Sequence, residues 1–146
     1  MRRLIPVLAA LLIAVSVSPS LAAKSDKATA VALQGYCPVA YATMKVAMKG
    51  DARYSSVVKG HRYRFANADA KKMFDANPEK FQVPYDGWCT TAMSMGKKLK
   101  ADPTLFAIHE GKTYLFSSAD AKAAFESMPA GLIEKADKQW HALAGK

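Results

Sequence analysis

"KGHRYRFANADAKKMFDANP", residues 59–78, decides the fold because it occurs twice. "EGKTYLFSSADAKAAFESMP" (110–129) repeats it at an offset of 51, matching Gly60/Gly111, Tyr63/Tyr114, Phe65/Phe116, Asp69/Asp120, Lys71/Lys122, Phe74/Phe125 and Pro78/Pro129. Each copy reads as a hairpin followed by a helix. A short apolar run, a glycine turn and a second run make the hairpin. Tyr63 and Phe65, or Tyr114 and Phe116, share a strand face by the period of two. Asn67 and Ser117-Ser118 are good helix N-caps. Ala70, Met73 and Phe74 then recur at i, i+3, i+4, as do Ala121, Ala124 and Phe125. Pro78 and Pro129 stop the helices.

The repeat extends upstream. Asp51 and Asp102 match at the same offset, and Gly35-Tyr36-Cys37 matches Gly87-Trp88-Cys89 at 52. Two copies of about 50 residues are too few for a solenoid. They predict two similar halves around a pseudo-twofold axis. Outside the repeat, "CTTAMSMGKKL" reads as a helix with Cys89, Ala92, Met93, Gly96 and Leu99 on one stripe. "GLIEKADKQWHAL" reads as another, with Leu132, Ile133, Ala136, Trp140 and Leu143 inward. The predicted fold is α+β: two pseudo-symmetric β-hairpin–helix halves forming one small domain, plus a C-terminal helix.

The N-terminus carries a different signal. "MRR" and the apolar run "LIPVLAALLIAVSV" have the form of an export signal and are short for a membrane span. Small residues then offer cleavage after Ala22 or Ala23. Residues 1–23 are therefore read as a signal peptide, 24–30 as a linker and 31–146 as the domain; an uncleaved anchor is the alternative. This places the mature chain in the periplasm or outside the cell, and it is not expected to be an integral membrane protein. Without Arg2 and Arg3 the 21 basic residues fall to 19 against 12 acidic, a net charge of +7. The lysines are scattered, as on a solvated surface, and no nucleic-acid role is expected. A protein or anionic partner fits the charge.

The segments "GYCPVAY" (35–41), "KGHRYRF" (59–65), "MFDANPEKF" (73–81), "YDGWCTTAMSMGKK" (85–98) and "DPTLFAIHEGKTYLF" (102–116) resemble the secreted, stand-alone YHS-domain proteins. The resemblance spans residues 31–143. It implies metal binding, since YHS domains occur beside copper-transporting ATPases and oxygenases. Relatives that hold zinc tend to carry cysteines just after the Y-x-F strand and in the next helix, where this chain has Ala66 and Met73 or their neighbours. Cys37 stands where many relatives carry aspartate.

Two cysteines exclude a closed four-cysteine zinc site. Pro38 suits the first turn of a helix, and Cys89 precedes a helical stripe, so both sulfurs are expected at helix N-termini, which favour thiolates. With Met93 four residues after Cys89, the set Cys37, Cys89 and Met93 is soft and suits copper(I) better than zinc. Met44 and Met48 join it only if Cys37 opens a helix of three turns. A Cys37–Cys89 disulfide is the alternative; it closes a 53-residue loop and stabilises by about 3–4 kcal/mol in the chain-entropy model. Tyr36 and Trp88 are core anchors beside the cysteines or walls of a small pocket. His61, His109 and His141 read as solvent-exposed. No C-x-x-C, G-x-S-x-G, H-E-x-x-H or glycine-rich phosphate loop is present. The expected function is thus non-enzymatic: soft-metal sequestration or delivery, or, without metal, a disulfide-stapled accessory module.

Overall fold

The computed structural model describes residues 29–144; the expected signal peptide and most of the linker lie outside them. The chain is a small α+β domain. Strands β1 (Ala30–Val31), β2 (Asp51–Val58) and β3 (His61–Phe65) form one sheet in the order β1-β3-β2, and β4 (Asp102–His109) and β5 (Lys112–Phe116) form a second. The helices are α1 (Pro38–Met44), α2 (Ala68–Ala76), α3 (Pro78–Phe81), α4 (Thr90–Ser94), α5 (Ala119–Ser127) and α6 (Pro129–Ala144).

The duplication is built at the level of single turns. Lys59-Gly60 and Glu110-Gly111 both have positive φ at both residues (50° and 80°; 48° and 75°), the two-residue loop whose twist matches that of a hairpin. A Cβ at either glycine meets nothing within 4 Å. Gly60→Ala and Gly111→Ala therefore cost backbone strain alone, about 1 kcal/mol each by denaturant unfolding. A cost above about 3 kcal/mol would mean the loop has another role. The matched aspartates set the irregularity in each hairpin. Asp51 Oδ1 accepts the Arg53 amide at 2.9 Å and Asp102 Oδ1 accepts the Thr104 amide at 2.8 Å. Each local turn displaces the strand before its pairing resumes at Ser55–Arg64 or Phe106–Leu115.

The caps stand where the sequence predicts them. Asn67 Oδ1 accepts the Ala70 amide at 2.8 Å, and Ser118 Oγ accepts the Ala121 amide at 3.1 Å. Pro78 and Pro129 lie just past the ends of α2 and α5 and open α3 and α6. Tyr63 and Phe65 pack on Phe74, with ring centroids 5.0 and 4.9 Å away, and Tyr114 and Phe116 pack on Phe125 at 5.1 and 5.0 Å. Tyr41 ties the halves: its hydroxyl donates to the Pro103 carbonyl at 2.6 Å, and its ring meets Phe106 edge-on at 4.9 Å. Burial holds the Tyr41 hydroxyl well above the usual phenol range.

The halves diverge after Pro78 and Pro129. The first half has only the short α3, which leads into the second half. The second continues as α6, with Ala136 buried and Leu132, Ile133, Trp140 and Leu143 packed against the core. This helix lies along α4 and also touches α5. The Tyr85 hydroxyl donates to Asp137 Oδ1 at 2.8 Å, which fixes α6 to the turn before Trp88.

One predicted helix is shorter than its stripe. The segment 89–99 is helical only over Thr90–Ser94. Gly96, at φ 72°, ends it: its amide donates to the Met93 carbonyl at 2.9 Å, and the Lys97 amide to the Ala92 carbonyl at 3.0 Å. Both bonds satisfy carbonyls that a longer helix would have used internally. Leu99 is consequently exposed, not on a helix stripe.

Candidate functional site

The repeated tripeptide is the exit of a left-handed turn. Leu33, Gln34 and Gly35 have φ of 51°, 52° and 84°; Tyr85, Asp86 and Gly87 have 57°, 52° and 79°. The aromatic residue then makes a single bridge, Tyr36 with Lys49 and Trp88 with Lys100. The cysteine amide closes the loop, donating to the Met48 carbonyl at 2.8 Å or the Leu99 carbonyl at 2.9 Å. Cys37 and Cys89 are the N-caps of α1 and α4, and both are completely buried.

The two sulfurs have different surroundings. Cys89 Sγ accepts from the Ser117 hydroxyl at 3.2 Å and from the Ala92 amide at 3.5 Å. Nearby, the Thr91 hydroxyl donates to the Ala121 carbonyl at 2.7 Å, tying α4 to α5. In the first half the equivalents of Ser117 and Thr91 are Ala66 and Val39, which have no hydroxyl to give. No cap bond is made to the Cys37 side chain. Instead, Cys37 contributes to a pocket of about 160 Å³ between α1 and α2 that Ala66, Met44 and Met73 also line.

The disulfide expectation is corrected: both cysteines are free. The Cys89 sulfur is bonded to Ser117, ahead of α5 in its own half, and Cys37 lines a pocket together with residues at the start of α2 in its own half. Equivalent positions in a duplicated fold do not by themselves pair.

Met93, the third expected ligand, follows Cys89 on α4, its amide donating to the Cys89 carbonyl at 2.9 Å. Met93 is completely buried in the core, on α4 with Cys89. Met44 and Met73 are 51% and 44% exposed although both line the Cys37 pocket. Met44 reaches it from a helix of two turns, not three. Met73, read in the sequence as a core-stripe residue, sits at the rim; the signal was its mismatch with Ala124 in the repeat. His61 is half-buried, with Nε2 3.9 Å from Asp86, and His109 meets the Phe125 ring edge-on at 6.3 Å; His141 is exposed. Among the described residues no three His, Cys, Asp or Glu side chains group to hold a metal ion.

Tyr36 and Trp88 are half-buried and line two adjoining cavities of about 550 and 260 Å³ where the halves meet. The Gln34 side-chain amide donates to the Ala101 carbonyl at 2.7 Å across that junction. Hydrogen bonds from the Thr104 hydroxyl and amide hold the nearby Asp102 carboxyl below the usual carboxylate range.

No protein-family model, curated protein or solved structure matches this chain. Among the described residues no helix is long and apolar enough to cross a membrane.

Proposed function

We propose that this chain is an exported, non-enzymatic protein of the YHS type that binds a soft transition metal, copper before zinc, with Cys37 as the thiolate ligand. One observation carries the reading: the α1–α2 pocket combines a thiol with two half-exposed thioethers, Met44 and Met73. Its counterpart in the second half is occupied differently. There Ser117 and Thr91 use their hydroxyls internally, Ala124 replaces Met73, and α6 lies along α4. The resemblance supports the same location, because the places where zinc-holding relatives tend to carry cysteines fall at or near Ala66 and Met73, and both residues line this pocket.

A thiolate with two thioethers is a soft donor set, better suited to copper(I) than to zinc(II). Loading transfers no electrons when the metal arrives as copper(I): the Cys37 thiol releases one proton and its sulfur becomes a ligand. Copper is then cargo, and the chain holds or delivers it. In this reading Cys89 and Met93 are core residues.

The test combines intact mass, free-thiol titration and metal assay on the exported chain before and after loading with copper(I). Two free thiols before loading, then one copper per chain with protection of Cys37, is the expected result. A mass two hydrogens light with no free thiol would leave the metal-free stapled module as the better description. Free thiols without stoichiometric copper would refute the metal reading.

A further inference from the structure

We propose that the two cavities at the junction of the halves form one binding site for a small organic anion with a flat apolar group, an arene carboxylate in chemical class. This site is separate from the Cys37 pocket and does not depend on it.

The first observation is backbone conformation. Leu33, Gln34, Tyr85 and Asp86 are all non-glycine residues in the left-handed region, where the Cβ crowds the following carbonyl oxygen. The conformation occurs twice, as consecutive pairs at equivalent places. Strain of this kind persists only when its surroundings enforce it, and it is concentrated at binding sites. Here it sets the walls. Leu33 and Gln34 line the smaller cavity from one half, Asp86 and Gly87 from the other. A Cβ on Gly87 would lie 2.8 Å from Leu33 Cδ2, so the Leu33 side chain rests directly on the second turn.

The second observation is charge. Lys49 and Lys100 are equivalent residues, and both line the larger cavity. Lys49 Nζ is 5.5 Å from the centre of the Tyr36 ring, and neither lysine has a carboxylate within 4 Å among the described residues. Asp102 shares the cavity, but its Oδ1 is occupied by the Thr104 amide and hydroxyl at 2.8 and 2.7 Å. The larger cavity thus has two lysines against one carboxylate and is its positive end; the second carboxylate of the joined site, Asp86, lies in the smaller cavity, 3.9 Å from His61 Nε2. Lys100 and Gln34 line both cavities and so mark their join.

The third observation is the apolar wall. Trp88, Leu33 and Val31 line the smaller cavity. A flat ring against Trp88 brings its carboxylate to Lys100 at the join, with Lys49 beyond. Charge-assisted bonds of this kind supply orientation as well as affinity.

The test is an NMR titration of the full chain with 2-naphthoate. The chain has two tryptophans, so Trp140→Phe assigns the indole N–H of Trp88. A saturable shift of the Trp88 signal is expected, with the Trp140 signal unmoved. Lys100→Met should weaken binding at least ~10-fold, the equivalent of one charge-assisted bond; Lys100 is exposed, so the variant folds. The neutral 2-naphthylmethanol should bind at least ~10-fold more weakly for the same reason. Equal binding of the alcohol, unchanged affinity in Lys100→Met, or shifts centred on Trp140 would each overturn the proposal. Cys37→Ser should leave the titration unchanged.

Discussion

Cys37→Ser is expected to weaken copper(I) binding more than ~100-fold, beyond the ~10–100-fold typical of losing an outer-sphere partner, because the only anionic soft donor is removed. Cys89→Ser should change affinity little, since its sulfur accepts from Ser117 and Ala92 inside the second half. The thioethers separate two ligand sets. Met44→Leu and Met73→Leu should each lower affinity, with little cost in stability because both side chains are half-exposed. Met93→Leu should not lower it. The opposite pattern, loss on Met93→Leu and Cys89→Ser but not on Met44→Leu or Met73→Leu, would restore the set Cys37, Cys89 and Met93. Competition against a chromophoric copper(I) chelator measures all five variants. Loading in each must be compared with its folded fraction by circular dichroism.

Phe125→Ala is expected to cost about 3–5 kcal/mol, the range for deleting a large buried aromatic. For a domain of this size that lowers the melting temperature by roughly 12–20 °C. Phe125 is almost wholly buried and holds Tyr114 and Phe116 of β5 against α5. Its removal leaves a cavity that α5 cannot close, because Thr91 anchors Ala121 and α6 begins directly after α5. Phe74→Ala should cost a similar amount, since Phe74 makes the matching contacts with Tyr63 and Phe65. Phe125→Leu, which keeps most of the volume, should cost under about 1.5 kcal/mol. A cost below about 1 kcal/mol for Phe125→Ala would mean that the second half is not held by this cluster.

Features that depend on a few neighbouring residues are legible in the amino-acid sequence alone. The duplication, the glycine hairpin turns, the caps at Asn67 and Ser118 and the aromatic pairs on β3 and β5 are all short-range. A cap needs a side chain three residues away, and a strand face needs a period of two. The C-terminal helix was legible for the same reason, from the spacing of Leu132, Ile133, Ala136 and Trp140. The α4 boundary was not, because Gly96 can continue a stripe or reverse the chain, and Lys97 bonding back to Ala92 decided it. The left-handed pairs Leu33-Gln34 and Tyr85-Asp86 run against local preference and exist because tertiary packing holds them. The fate of each sulfur also lay beyond local reading. Cys89 is bonded by a hydroxyl 28 positions away, and Cys37 lines a pocket that Met73, on α2, also lines. Two equivalent sequence signals therefore have different surroundings, because a sulfur's environment is set by whichever distant side chains the fold brings to it.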